Sequence, residues 1–154
     1  MDIKQSFKNL ISDTGIMMGE SLEDVSGLLK DTLNKFYDVK DLTKEKLVTL
    51  ANDLIALSPI IEQTGYKSKE INIGLSLPPK VVFHFEKVAD ISRDQIDQIL
   101  EKNTEKPLLR VIVQTLVTAD EFQQKITPGS FRFSEIDIEI GVPPRVNVKL
   151  IPAG

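Results

Sequence analysis

The polar residues best placed to act together lie on strands that the sequence predicts. His84 is the only histidine, so a serine–histidine–aspartate relay would have to use it. Its position in an alternating strand places it on the solvent-facing side, near Asn72 and near Asp137 or Glu139. Asp137 and Glu139 share a strand face and could hold a hard cation. Two carboxylates and one imidazole are weak evidence for a site, so a solvated polar surface is the better interpretation.

Catalytic motifs are missing from the chain. The sequence contains no phosphate loop, dinucleotide fingerprint, nucleophile elbow or HExxH zinc motif. It also contains no cysteine, which excludes disulfides, thiolate zinc sites, iron–sulfur clusters and cysteine nucleophiles. We therefore expect no catalytic residue, no cofactor and no metal ion.

Charge and hydropathy restrict the partners. The net charge of −4 argues against non-specific binding to nucleic acid or to anionic lipid. No run approaches the roughly 20 apolar residues that span a bilayer, and the first residues lack the apolar core of a signal peptide. We expect a soluble, cytoplasmic protein without a nucleic-acid partner or a membrane span.

Two stretches of the chain, residues 70–85 and 135–150, align without a gap and predict an internal duplication. Each has a strand with alternating apolar residues, then Pro-Pro and a basic residue, then a second strand. Alternation of period two predicts one buried and one solvent-facing side. Because Pro-Pro followed by a base recurs at the same point, duplication explains the match better than two unrelated strands.

The Pro-Pro steps allow two arrangements. A three-residue loop, Pro78-Pro79-Lys80 or Pro143-Pro144-Arg145, would make each unit a hairpin and would pair Leu77 with Val81. The alternative is one long edge strand that is kinked at the prolines. Such a strand of about 16 residues would exceed about 50 Å, which is long for a compact domain, so we expect the hairpin.

Side-chain parity adds two constraints. A two-residue turn is excluded because it would place Arg145 on the apolar face. Tyr66 and Phe131 have the wrong parity for the face that carries the isoleucines of their strands. A bulge near residues 68–69 and near residues 133–134 would reconcile them.

Cap signals and apolar spacing predict the helices. A capping box predicts a helix over residues 92–102. Pro107 suits the first turn of a long helix that we expect to be central and largely buried. Thr43 is the expected N-cap of a helix over residues 44–57, with Ser58-Pro59 and Gly65 at its exit.

The pattern predicts one α+β domain over residues 1–154. An antiparallel sheet would be built from the two duplicated strand–Pro-Pro–strand units, with helices packed on one face. Residues 1–40 would form an N-terminal helical arm, residues 41–87 the first α-β-β repeat and residues 88–154 the second, α-α-β-β repeat. The arm is apolar at helical spacing but lies outside the duplication, so it either serves contacts or completes the core.

Three functions remain open. The leading interpretation is a non-catalytic protein-interaction or structural module that binds a protein partner or forms a homo-oligomer through the arm and the sheet edge. The second is a carrier of a small apolar ligand or lipid, with Phe83, Phe85, Phe122 and Phe131 around a cavity between sheet and helices. The third is an enzyme of unfamiliar type with a polar cleft around His84.

Overall fold

The computed structural model describes residues 22–126 and 129–153, which form four helices and a four-stranded antiparallel sheet. The predicted α+β class is therefore confirmed. No helix in these two ranges is long and apolar enough to cross a membrane. The elements in chain order are α1 (Leu22–Tyr37), a 3-10 turn (Val39–Asp41), α2 (Lys44–Gln63), β1 (Tyr66–Gly74), β2 (Lys80–Lys87), α3 (Arg93–Glu101), α4 (Pro107–Gln124), β3 (Phe131–Ile140) and β4 (Arg145–Pro152).

The apolar side of the sheet faces the helices. The strand order is β1-β2-β3-β4, so β2 and β3 are central and β1 and β4 are the edges. Phe83 and Phe85 of β2 lie stacked in the core with the isoleucines of β3. The buried apolar residues of the two central strands are Val81, Phe83, Phe85, Ile136, Ile138 and Ile140.

Helix α4 is central, as the sequence predicts. Every residue from Leu108 to Asp120 is buried, because α4 contacts α1 as well as β3 and β4. The β-branched run from Val111 to Val113 is helical here, since burial on all sides overrides its strand propensity.

Each Pro-Pro step lies in a hairpin loop. The expected hairpin is therefore correct for β1 and β2, and the kinked single strand is not formed. The expected pairing of Leu77 with Val81 is wrong, because Val81 pairs with Ile73 and Lys80 pairs with Gly74. Leu77 therefore sits at the centre of a longer loop. The shift is even, so every apolar side chain keeps its predicted face.

The second hairpin has the same form. Ile138 pairs with Val146 and Glu139 with Arg145. Arg145 and Lys149 are exposed, so the parity argument holds. The peptide bonds before the first proline of each pair, Leu77–Pro78 and Val142–Pro143, are cis.

Both predicted bulges are confirmed. The β1–β2 register shifts between Ser68 and Glu70, and the β3–β4 register shifts between Phe133 and Glu135. The first bulge lets Tyr66 turn towards the helices, where it is buried.

The helix starts follow the sequence signals, but one helix end does not. The Thr43 side chain accepts the N–H of Lys46, and the predicted capping box at Ser92 is present at the start of α3. Helix α2 continues through Pro59 to Gln63, so the predicted end at residue 57 and the exit signal at Ser58-Pro59 are wrong. Gly65, the other predicted exit signal, has a positive φ and directly follows the C-cap residue Thr64. Ile61 is buried in the core, and this packing holds the last turn in place.

Part of the predicted arm belongs to the core. Val25, Leu29 and Leu33 of α1 are fully buried, and α1 packs against α4. The arm is expected either to serve contacts or to complete the core. Helix α1, the part of the arm that the structure describes, completes the core. Residues 1–21 of the arm lie outside the described residues.

Candidate functional site

A polar cluster lies on the sheet face opposite the helices. His84 of β2 is in register with Glu70 of β1 and with Asp137 of β3. Its neighbours Phe83 and Phe85 point into the core, so alternation directs the imidazole to the other face. The sheet itself therefore brings side chains from three strands together.

The imidazole has partners on both nitrogens. His84 Nδ1 lies 2.8 Å from Glu135 Oε2 and 2.7 Å from Asp137 Oδ1. His84 Nε2 lies 2.5 Å from Asn72 Oδ1 and 3.7 Å from Glu70 Oε2. The side chain of Glu135 is only 4% exposed, whereas His84 and Asp137 retain more contact with solvent.

Three of the four residues predicted for this surface come together: His84, Asn72 and Asp137. Glu139 lies apart from them, with its carboxylate 3.6 Å from Lys80 Nζ and 3.9 Å from Arg145 Nε.

Sequence reasoning missed Glu135 and Glu70. Glu135 precedes Asp137 by two residues, so strand alternation alone places it on the same face. Its burial could not be read from that pattern. Lys69 and Lys149 cover its other oxygen, with Nζ atoms 3.1 Å and 4.0 Å from Glu135 Oε1.

The cluster shifts the pKa values of its members. A hydrogen bond with Asp137, supported by bonds from His84 and Lys69, lowers the pKa of Glu135 to about 2 against the effect of burial. Burial and the neighbouring Glu135 raise the pKa of Asp137 to about 6. Burial opposes the charged imidazole, but bonds to both carboxylates outweigh it and raise the pKa of His84. Such a cluster can exchange protons or hold a cation.

A second candidate surface lies at one end of the sheet. Val81 pairs with Ile140, so loops 75–79 and 141–144 lie side by side. Exposed apolar residues from the two hairpins collect at this end. We call them the hairpin-end patch: Ile73 (56% exposed), Leu75 (69%), Leu77 (90%) and Val142 (48%).

A groove of about 540 Å³ lies among α1, α2 and the start of α4. Phe36, Tyr37, Leu57 and Pro107 line it, together with polar groups such as Asp53. It is not the cavity that the sequence predicts.

The four phenylalanines expected around a cavity do not line this groove. Phe83 and Phe85 are buried in the core, while Phe122 and Phe131 are exposed by nearly half. The groove therefore involves other residues and lies among helices instead of between the helices and the sheet.

A buried polar network joins α4 to the opposite end of the sheet. Asp120 is 3% exposed and accepts hydrogen bonds from the Tyr66 hydroxyl at 2.7 Å and from Gln123 Nε2 at 2.9 Å. Lys87 Nζ lies 2.8 Å from the same carboxylate and also 2.8 Å from Asp90. Because these contacts tie a buried carboxylate of α4 to β1 and β2, we assign the network to stability.

Known proteins offer no guide to these surfaces. No family model, curated protein or solved structure matches the chain. The hairpin-end patch, the polar cluster and the groove are therefore the features of the described residues that bear on function.

Proposed function

We propose that the chain is a non-catalytic interaction module that associates with a second copy of itself through β1 and the hairpin-end patch. The observation that carries this proposal is the exposure of Ile73, Leu75 and Leu77 in one continuous segment, at 56%, 69% and 90%. Contiguous exposed apolar surface of this kind marks contact sites in soluble proteins.

The two edges of the sheet differ in a way that favours β1. On β4, Val146 and Val148 pack against the core. On β1, Ile71 packs against the core, but Ile73 extends beyond the cover that the helices provide. The apolar face of β1 is therefore left more open at Ile73 than that of β4, whose Val146 and Val148 are partly buried.

The backbone of β1 supports the same partner. An edge strand presents N–H and C=O groups that can pair with another strand. The bulge at Lys69 and the exposed Lys67 discourage pairing along the first half of β1, because bulges and lysines blunt an edge. The regular stretch Glu70–Gly74 remains available.

A two-fold axis at Ile73 suits this stretch. Antiparallel pairing about that axis places each Ile73 opposite its copy, and it brings each Ile71 level with Leu75, the first residue after β1, in the second copy. Asn72 then faces Gly74, and no like charges meet. An axis at Ile71 is less favourable, because it would set Lys69 against Ile73.

We also propose that the two hairpins derive from one duplicated unit. When residues 70–85 are aligned with residues 135–150, Lys69 aligns with Ser134. A bulge occurs at each of these two positions. The same alignment places the last pair of the first ladder, Gly74 with Lys80, on Glu139 with Arg145. Equal register and equal bulge position support a common origin for the two units.

A second candidate function is the binding of a small apolar ligand. The groove among α1, α2 and α4 has about 540 Å³, within the range of small-molecule sites. Phe36 supplies an apolar wall that is 48% exposed. The groove is open and shares its lining with Asp53, Glu105 and Lys106, so it ranks below self-association.

Replacing Leu75 and Leu77 together with serine should convert the protein to a monomer. Burying one leucine contributes about 1.5–3 kcal/mol, and a symmetric dimer loses four of them. We expect the dissociation constant to rise at least about a hundredfold, since about 1.4 kcal/mol corresponds to tenfold. Light scattering over a dilution series of the full chain measures this.

Val48→Ser is the matched control, because Val48 is 59% exposed on α2, away from the patch. It should associate as the unmodified protein does. A full chain that stays monomeric at about 1 mM, a concentration at which even weak pairs form, would contradict the proposal. Equal association of the double variant and the control would contradict it as well.

A further inference from the structure

We propose that His84, Glu135 and Asp137 form a binding site for a divalent transition-metal ion, with Zn²⁺ as the best-fitting occupant. Their ligand atoms all lie within 4.8 Å of one another. The three ligands lie on the paired central strands β2 and β3, and Asn72 and Glu70 lie on the neighbouring β1, so the ligands are positioned before an ion arrives. This inference is independent of self-association.

The orientation of the imidazole is the first argument. Asn72 Oδ1 can only accept a hydrogen bond, so it takes the N–H at His84 Nε2. In the neutral ring the lone pair of Nδ1 then points at Glu135 Oε2 and Asp137 Oδ1. Three acceptors that converge on one point require a proton or a cation between them. Metal-ligating histidines characteristically donate their other N–H in this way.

The separations of the ligand atoms are the second argument. Zinc binds histidine nitrogen and carboxylate oxygen at about 2.0–2.2 Å, so tetrahedral ligands lie about 3.3 Å apart. The Nδ1 to oxygen distances are 2.8 Å to Glu135 and 2.7 Å to Asp137. An opening of about half an ångström, which side-chain torsions can supply, would admit the ion.

The surroundings are the third argument. Lys69 contacts Glu135 Oε1, so the other oxygen, Oε2, is directed at the imidazole. Carboxylates that bind a metal ion are commonly held in this way by a hydrogen-bonding partner. Glu70 lies on the other side of the ring, 3.7 Å from Nε2. Lys149, at 4.0 Å from Glu135 Oε1, is more than half exposed and can turn away into solvent.

The donor set selects the class of ion. One imidazole nitrogen and two carboxylate oxygens suit Zn²⁺ and similar first-row ions, whereas Ca²⁺ and Mg²⁺ prefer oxygen alone. His84 and Asp137 are partly exposed, so water can complete the coordination.

The full chain without an affinity tag offers a clean measurement. It has one histidine and no cysteine, so His84 is the only side-chain nitrogen or sulfur ligand of the usual kind. Titration calorimetry with zinc chloride should give saturable binding of one ion per chain. The imidazole ¹⁵N spectrum should show the larger shift at Nδ1, with the proton retained on Nε2.

Variants separate a built site from general attraction to acidic residues. His84→Gln and Asp137→Asn should each weaken Zn²⁺ binding more than about tenfold, because each loses a ligand. Asn72→Ala removes no ligand but should still weaken binding by about 10- to 100-fold, because the ring loses its orienting partner. Glu139→Gln, on the same strand face, is the matched control and should bind as the unmodified protein does.

The inference fails if the protein shows no saturable binding of one Zn²⁺ per chain. It also fails if the affinity is unchanged in His84→Gln. If a variant loses its circular dichroism signal, the Nδ1 shift in the unmodified protein decides by itself, since a shift at Nε2 or at neither nitrogen would also reject the site.

Discussion

Leu116→Ala is expected to lower the free energy of unfolding by about 2–5 kcal/mol, the range for truncating a buried leucine. Leu116 is fully buried near the middle of α4, the helix that is enclosed by α1 and the sheet. A cavity there has neighbours on all sides and little freedom to collapse. Urea unfolding followed by circular dichroism measures the change.

Val48→Ala is the control for this experiment. Val48 is 59% exposed on α2, so its truncation should change the free energy of unfolding by less than about 0.5 kcal/mol. A loss of that small size in Leu116→Ala would show that α4 does not form the centre of the core.

Asp120→Ala is expected to cost about 3 kcal/mol, because it breaks a buried network by removing one partner. The Tyr66 hydroxyl is buried and would lose its acceptor, and Lys87 would lose its buried partner. The remaining bond from Lys87 to Asp90 keeps the cost at the lower end of the range. The same urea measurement applies.

Asp90→Ala makes the matched control. Asp90 contacts the same lysine at 2.8 Å, but its side chain is 93% exposed. Exposed ion pairs contribute about 0–1 kcal/mol, so this variant should remain close to the unmodified protein. Equal losses in the two variants would contradict the assignment of Asp120 to the core.

The Asp120 network also predicts a dependence on pH. Burial raises the pKa of Asp120, but bonds from Lys87, Tyr66 and Gln123 outweigh it and lower the pKa below its ordinary value. A carboxyl with a lowered folded pKa stabilises fully above its unfolded pKa, about 3.9, and loses that contribution as pH falls through the folded value. The stability difference between the unmodified protein and Asp120→Asn should therefore be constant near neutral pH and shrink below about pH 4.

The sequence predicts the faces of the strands better than their register. Alternation fixes which side of β1 carries Ile73, and the parity of Tyr66 predicts the bulge at Lys69. Parity cannot detect an even shift, so the pairing of Val81 with Ile73 instead of Leu77 could not be found in this way. Loop length is the missing quantity, and the Pro-Pro step does not determine it.

Helix starts carry local signals, but helix ends depend on packing. Thr43 and Ser92 mark their helices through side-chain oxygens that accept backbone N–H groups. Pro59 is a local stop signal that α2 passes, because Ile61 beyond it has a place in the core. The fate of that turn is decided by residues distant in sequence.

The sequence predicts only part of the polar cluster, because alternation gives the face of each side chain but not its partner on the next strand. Strand alternation places His84, Asn72 and Asp137 on one face without any knowledge of register. Register then brings Glu135 to the imidazole and leaves Glu139 with Lys80. The bond between Tyr66 and Asp120 joins residues far apart in sequence and has no local signal at all.

Cross-linking tests self-association most directly. The chain has no cysteine, so a single introduced thiol reports on one position. In the proposed pair each Ile73 faces its copy, with Cα atoms about 4.5–5.5 Å apart, which is within disulfide range. Ile73→Cys should therefore form a disulfide-linked dimer under mild oxidation, whereas Val48→Cys, comparably exposed on α2, should remain monomeric. Equal cross-linking of the two variants, or none in Ile73→Cys, would contradict pairing through β1.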